Sequence, residues 1–355
     1  MHKKLFIPGP TEVRDDALAR MATPQIGHRS QEFKDLFASI VPKIQKLLFT
    51  KNTVILSTSS GTGLMEAATR NFIEKRFLST ICGAFSDRWH KIAVANGKEG
   101  DAIEAEWGKH VPTEEIDKAL ATGKYDCLFY TQNETSTGVR NPIEELGEVM
   151  KKYPDVVWCV DAVSSMGGDL MKIDELGVDF ILASTQKCWA LPSGLAIGVV
   201  SDKAIEKSKR IPYRGFYFDL QTFLKYVERS QTPTTPAIPH LFGLDYQLGK
   251  IIDSGGIESR YERHVEMAKY VQAWAKQHFD LFAEPGYESV TLTAIANTKG
   301  ISVAELNKEL AKRGKMLSNG YGNLKEKTFR IAHMGDLTLD EIKELLNDIQ
   351  EILQL

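Results

Sequence analysis

The sequence predicts an α/β protein: a large unit on a mostly parallel central sheet, followed by a smaller α+β unit at the C-terminal end. Three observations carry this expectation. Apolar runs of strand length alternate with helix-length segments over most of the chain, the pattern of βαβ units. A proline-rich stretch, "QTPTTPAIPHL" (231–241), breaks that alternation. Beyond it, a long amphipathic segment beginning at Arg260 opens a second, shorter alternation.

Taken in order, "TVILST" (53–58) reads as a strand and "GLMEAATRNFI" (63–73) as a helix. "STICGAF" (79–85) is strand-like, and "DRWHKIAVANG" (87–97) is helical and closed by Gly97. "DAIEAEW" (101–107) is a short strand and "EEIDKALAT" (114–122) a helix ended by Gly123. "YDCLFYTQ" (125–132) is a strand; "PIEELGEVMKKY" (142–153) is a helix with proline at its start and lysines in its last turn. "VVWCVDAV" (156–163), "DFILAST" (179–185) and "LAIGVVS" (195–201) complete the strands of the large unit. After "RYERHVEMAKYVQAWAKQHF", strands at 290–297 and 328–335 alternate with helices at 303–314 and 338–353. The expected division is an N-terminal segment (1–20) crossing toward the small unit and the active-site mouth, a large domain (21–240) and a small domain (241–355).

With 355 residues, 43% of them apolar, the chain is long enough for one large and one small core. A net charge of −3 with scattered basic residues gives no reason to expect nucleic-acid or anionic-membrane binding. No apolar stretch approaches the ~20 residues of a membrane span. The apolar part of "MHKKLFIPGPTEV" stops at Pro8, too short for a signal peptide. The four cysteines, Cys82, Cys127, Cys159 and Cys188, form no CxxC pair and sit in or beside apolar runs. That favours reduced thiols and a cytoplasmic protein, without a disulfide framework or a structural metal.

Four signals fall at or just after expected C-terminal strand ends, where open parallel sheets bind ligands. In "STSSGTGLMEAATR" (57–70) a strand gives way to a small polar turn and a helix N-terminus, which suits a phosphate, with Ser60 and Thr62 adding hydroxyls. An ordinary capped helix is the alternative. In "CVDAVSSMGG" (159–168), Asp161 ends an apolar run, where a carboxylate needs a cationic partner such as a protonated pyridine nitrogen, unless it merely caps a turn. The loop "YTQNETSTGVRNP" (130–142) offers neutral hydrogen bonds from Asn133, Thr135 and Ser136. In "FILASTQKCWALPSG" (180–194), Lys187 follows a buried-strand pattern directly. An enclosed lysine can lose its proton and act as a nucleophile; an exposed one is a loop residue. A phosphate site, an aspartate and a lysine in this order match the needs of pyridoxal phosphate.

Over nearly its whole length the chain resembles the class V, fold-type I pyridoxal-phosphate aminotransferases, near the alanine–glyoxylate and serine–glyoxylate (serine–pyruvate) group. The resemblance lies in "PGPTEV" (8–13), "GHRSQEF" (27–33), "SSGTGLMEA" (59–67), "GAFSDRW" (83–89), "NETSTGV" (133–139), "VDAVSSMGG" (160–168), "STQKCW" (184–189), "SQTPTTPAI" (230–238) and "FRIAHMG" (329–335). It implies that Lys187 holds the cofactor as a Schiff base and later moves a proton, and that Asp161 pairs with the pyridine nitrogen. It implies that Phe85 stacks on the ring and Val163 packs on its other face. Thr135 would bond near the phenolic oxygen, and Ser60, Gly61, Thr62 and Gln186 would cradle the phosphate. Thr232 would complete the phosphate site of a neighbouring subunit in a homodimer. Arg330 would bind the substrate α-carboxylate.

The implied activity is transfer of the amino group of alanine or serine to glyoxylate or pyruvate by a ping-pong mechanism. Close alanine–glyoxylate relatives often carry histidine where this chain has Asn133, and histidine or a similar residue where it has Thr62. His28 and Arg29 match a pair that in phosphoserine aminotransferases helps bind substrate, so phosphoserine is the alternative donor. A desulfurase or lyase of the same fold is disfavoured because no cysteine follows Cys188.

Overall fold

The computed structural model describes residues 2–355. Fourteen strands form in chain order: β1 (Lys4–Phe6), β2 (Thr53–Ser57), β3 (Phe77–Ile81), β4 (Gly100–Glu104), β5 (Cys127–Thr131), β6 (Asn133–Glu134), β7 (Val139–Arg140), β8 (Val157–Asp161), β9 (Phe180–Ser184), β10 (Ala196–Val200), β11 (Asp280–Leu281), β12 (Leu292–Ala296), β13 (Lys315–Asn319) and β14 (Thr328–Ala332). Seven of them make the central sheet, in the order β2-β10-β9-β8-β5-β3-β4. Its internal strands are buried on both faces. In β9, Ile181 and Ala183 enter one apolar cluster while Phe180 and Leu182 enter the other; in β8, Trp158 and Val160 part from Val157 and Cys159 in the same way. That is why these strands read as continuous apolar runs rather than as alternating ones.

The sheet is parallel except at β10, which runs antiparallel to both β9 and β2. No helix separates β9 from β10, and a connection that short favours a reversal of direction over a parallel crossover. Because β10 reverses twice, β2 again points the same way as β9. The C-terminal ends of β2, β3, β5, β8 and β9 therefore lie along one edge.

Two long helices absent from the expected alternation cover this sheet. Gln31–Leu47 contributes Phe33, Phe37, Ile40 and Ile44, with Pro42 inside it, and Ile238–Asp253 contributes Leu241, Leu244 and Leu248. At roughly 1.5–3 kcal/mol for each large apolar side chain fully buried, these faces are a substantial part of the core. The second helix starts in the proline-rich break, with Pro239 in its first turn, where a missing N–H costs nothing.

The second sheet has the order β1-β13-β14-β12-β11 and packs on a third cluster, with Trp274 from helix Gly256–His278 and Leu345 from helix Leu339–Leu353. In β14, Phe329 and Ile331 enter that core, so Arg330 between them points to the opposite face. β1 comes from the N-terminal end and pairs in parallel with β13, Lys4 opposite Lys315. Among the described residues no helix is long and apolar enough to cross a membrane, and no cluster of His, Cys, Asp and Glu has metal-binding spacing.

Candidate active site

A cavity of about 230 Å³ opens at the edge where the strand ends converge, lined by Ser60, Gly61, Thr62, Met65, Phe85, Arg88, Thr135, Asp161, Val163, Ser184, Gln186 and Lys187. Nine of the thirteen residues singled out from the sequence line this one space. They come from five strand ends, so the shared sheet fixes their spacing.

Lys187 lies three residues past the end of β9, and its ammonium donates to the backbone carbonyl of Pro8. Burial, reinforced by the positive charge of Arg330, pulls its pKa down to about 8. Gly9 makes this approach possible. A β-carbon there would sit 2.6 Å from Lys187 Nζ, and its φ of +125° is one that side-chain-bearing residues rarely adopt. The N-terminal segment is held across the loop by Thr11, whose N–H donates to Gln186 O at 3.0 Å and whose hydroxyl donates to Lys187 O at 3.0 Å.

Asp161 ends β8, beside β9, and is 3% exposed. Burial pushes its pKa up to about 7; the Val163 N–H, donating to Oδ1 at 2.8 Å, opposes that shift and the charge of Glu134 adds to it. No cation pairs with it at contact distance among the described residues. A buried carboxylate in this state is matched to a cationic partner delivered by a ligand.

At the β2 end, Ser60 precedes helix Gly61–Phe72 without capping it through its side chain. Gly61 leaves room for Val163: a β-carbon would lie 2.5 Å from Val163 Cγ2. Two buried polar atoms in the lining, Ser184 Oγ and Gln186 Oε1, have no hydrogen-bond partner among the described residues. An open helix N-terminus and orphaned polar groups in one cavity suit an anionic, hydrogen-bonding group such as a phosphate ester. With the lysine and the aspartate, the residues present fit pyridoxal phosphate.

Arg330 is 7% exposed and hydrogen-bonds only to backbone carbonyls: Thr135 O at 3.1 Å, and Asn319 O at 3.1 and 3.2 Å. Burial lowers its pKa to about 10, and no carboxylate pairs with it among the described residues. Thr135 donates its hydroxyl to Ser164 Oγ at 2.8 Å.

Four expected site residues do not line this cavity: Arg330, Thr232, Arg29 and His28. Thr232 is buried and donates to Thr234 O at 2.9 Å. Arg29 donates to Thr232 O at 2.7 Å and Pro233 O at 3.1 Å, and lies over the Tyr226 ring. His28 shares the turn before helix Gln31–Leu47. Within a single chain Arg29 and Thr232 brace one another rather than the lysine. Asn133, from the same loop as Thr135, turns away to bond Ser164 and Thr291.

The structure adds groups that the sequence reading did not single out. Arg88 lines the cavity one helical turn after Phe85, lies 4.7 Å from that ring and donates to the Tyr321 hydroxyl at 3.1 Å. Its spacing from Phe85 was a usable signal. Pro8 and Gly9 close on Lys187 from a distant part of the chain. All four cysteines are buried, and burial pushes the Cys188 thiol up to about 12, which suits packing rather than sulfur chemistry.

Comparison with known proteins bears on the same site. Residues 16–345 match the family model described as aminotransferase class-V. An uncharacterized aminotransferase of Methanocaldococcus jannaschii is 38% identical over 342 residues, covering 94% of this chain and 88% of that protein. A serine–glyoxylate aminotransferase of Methylorubrum extorquens is 32% identical, covering 94% of this chain and 86% of its own length. The solved structure of an alanine–glyoxylate aminotransferase from Nostoc sp. superposes with a TM-score of 0.93 at 26% identity, over 99% of this chain and 96% of that one.

Proposed function

This chain belongs to the class-V aminotransferases, and from that premise we propose that it transfers the amino group of alanine or serine to glyoxylate or pyruvate in two half-reactions, using pyridoxal phosphate. One observation carries the reading: a lysine with its pKa lowered to about 8 shares a cavity with a buried aspartate raised to about 7. The names of the serine–glyoxylate and alanine–glyoxylate relatives support the choice of substrates.

When bound, pyridoxal phosphate supplies an electron sink that makes the α-proton of an amino acid removable. The chain's residues do the rest. With a pKa near 8, Lys187 Nζ is partly unprotonated near neutral pH, so it would hold the cofactor and would take and return the proton at the substrate α-carbon. Asp161 would ionise fully beside a cationic ring nitrogen and hold that charge in place. The helix start at Ser60–Thr62, with Ser184 and Gln186, would hold the phosphate, and Phe85, Thr135 and Val163 would line the ring. Arg330 would clamp the α-carboxylate that both substrates carry, so each uses it in turn. Thr232 would serve a partner's phosphate site in a homodimer, which accounts for its place outside its own chain's cavity.

A second reading, a donor with a further anionic group such as phosphoserine, is favoured by Arg88, which lines the cavity with no carboxylate partner among the described residues. The test is a half-reaction screen. Cofactor-loaded protein is mixed with alanine, serine, phosphoserine, glutamate or aspartate, and the loss of cofactor colour is timed. Alanine or serine should react fastest; fastest reaction with phosphoserine or aspartate transfers the case to the second reading, and no reaction with any donor ends both.

A further inference from the structure

The loop "NETSTGV" carries an acidic residue to which the proposed reaction assigns no role. Glu134, in β6, is 0% exposed, and no cation pairs with it among the described residues. Its charge is met by donors alone. Oε2 accepts from Phe85 N–H at 3.1 Å, Ser86 N–H at 2.9 Å and Ser86 Oγ at 2.8 Å. Oε1 accepts from Ser136 N–H at 3.0 Å and Ser136 Oγ at 2.7 Å. Phe85 and Ser86 open helix Ala84–Ala95, whose preceding residue, Gly83, has no side chain to cap it. Glu134 caps that helix from another part of the chain. Gly83 is the space this requires: a β-carbon there would lie 2.5 Å from both Glu134 Cγ and Ser136 Oγ.

The carboxylate thus joins two walls of the cavity. One is the helix that presents Phe85 and Arg88; the other is the loop that presents Thr135. The same loop supplies the Thr135 carbonyl that accepts from Arg330 at 3.1 Å. The Phe85 ring packs 5.1 Å from the Tyr321 ring, and the Arg330 guanidinium lies 5.6 Å from the Tyr321 ring, so both routes from Glu134 end at Arg330.

We propose that Glu134 is a positioning residue for the reaction: its buried carboxylate locks the Phe85 helix to the Thr135 loop and thereby aims Arg330 at the substrate carboxylate. Its charge acts in the same place, opposing the burial effect on Arg330 and adding to that on Asp161. This inference rests on the reading of Arg330 as the carboxylate clamp. An amide cannot replace the carboxylate, because its NH₂ would face N–H and O–H donors at one of the two positions.

Two variants test it, Glu134→Gln and the milder Ser136→Ala. In steady-state assays of folded Glu134→Gln, KM for amino donor and 2-oxo acid should rise together, by roughly 10- to 100-fold, with kcat within about threefold. In an Arg330→Lys background the same change should add less than about threefold, because the clamp is already lost. Hydrogen exchange in the cofactor-free protein probes the joint without any chemistry. Amides in 84–88 and 135–137 should exchange about tenfold faster in Glu134→Gln than in wild type, and several-fold faster in Ser136→Ala, while the far strands stay unchanged. Unchanged exchange at these amides overturns the lock whatever the enzyme's reaction proves to be. Faster exchange with both KM values unchanged leaves Glu134 a purely structural cap and overturns the positioning role. If Glu134→Gln does not fold, Ser136→Ala decides by the same two readouts. An inactive wild type with the expected exchange pattern would instead fault the proposed transamination.

Discussion

The two sheets contribute to the candidate site in unequal ways. The seven-stranded sheet presents a lysine, an aspartate, an aromatic ring and an open helix start, all within a few residues of its strand ends. The five-stranded sheet presents Arg330, from the middle of β14, where it is held by the carbonyl of Asn319 in β13 and by that of Thr135 in the loop of the large unit. Groups on one sheet hold their mutual geometry whatever the other sheet does. A group on the second sheet holds its aim only while the two stay in register. Damage to the first set should therefore appear in cofactor retention and turnover, and damage to the second in KM.

The sharpest break would come at Lys187. Lys187→Ala should lower kcat by roughly 10⁴-fold or more, and borohydride reduction should fix pyridoxal phosphate to the Lys187 peptide in wild type only. A variant retaining more than about 1% of activity, or label on another lysine, would move the centre elsewhere.

Next comes Asp161→Asn, which should keep the fold and lower kcat by about 10²–10³-fold. It also predicts a pH signature. In the folded, cofactor-free chain Asp161 titrates near 7, against a usual value of 3.8. Between those values the folded state holds more protons than the unfolded one, so stability falls as pH rises from about 4 to about 7 and does not recover above that. The asparagine variant lacks this loss. Its unfolding free energy should match wild type near pH 4 and exceed it near pH 7.5 by about 2–4 kcal/mol, read as a higher Tm. Equal Tm values at the higher pH would mean that the carboxylate is not held against its charge.

Arg330→Lys sharpens the comparison from the other sheet. Both KM values should rise by roughly 10- to 100-fold with a smaller change in kcat, since a point charge cannot reproduce the guanidinium fork. A rise for only one substrate would show that the two do not share the clamp.

The smallest effect is expected outside both sets. Arg29→Ala should change alanine or serine turnover by less than about threefold, because Arg29 braces the 232–233 backbone at an exposed site. A 10- to 100-fold loss with phosphoserine in that variant would instead join Arg29 to a donor-phosphate site.

Much of this arrangement was legible beforehand for a definite reason. Lys187, Asp161 and Ser60–Thr62 lie directly after apolar runs, and chain order alone puts them on one edge of a parallel sheet. The β10 reversal was less visible, since an apolar run carries no direction; only the absence of a helix before it was a hint. The helix Gln31–Leu47 contains Pro42, which argues locally against a helix, and its evidence is the core it covers. Glu134 was illegible for another reason. A glutamate in a polar loop reads as solvated, and nothing near it in sequence reports that Phe85 and Ser86 will arrive with their N–H groups pointing at it.

The contact between Gly9 and Lys187 has a consequence for genetic variation. His2 and Lys3 are exposed, so a saturation-mutagenesis map of this gene should be permissive there. It should tighten at Phe6, buried in the core of the second sheet, stay intolerant at Pro8, Gly9 and Thr11, and relax again at the exposed Arg14 and Asp15. In a one-dimensional map that narrow island, remote from the lysine in sequence, would look like a processing signal. In three dimensions Pro8 and Gly9 lie over the Lys187 amine, and alleles there should track with those at codon 187.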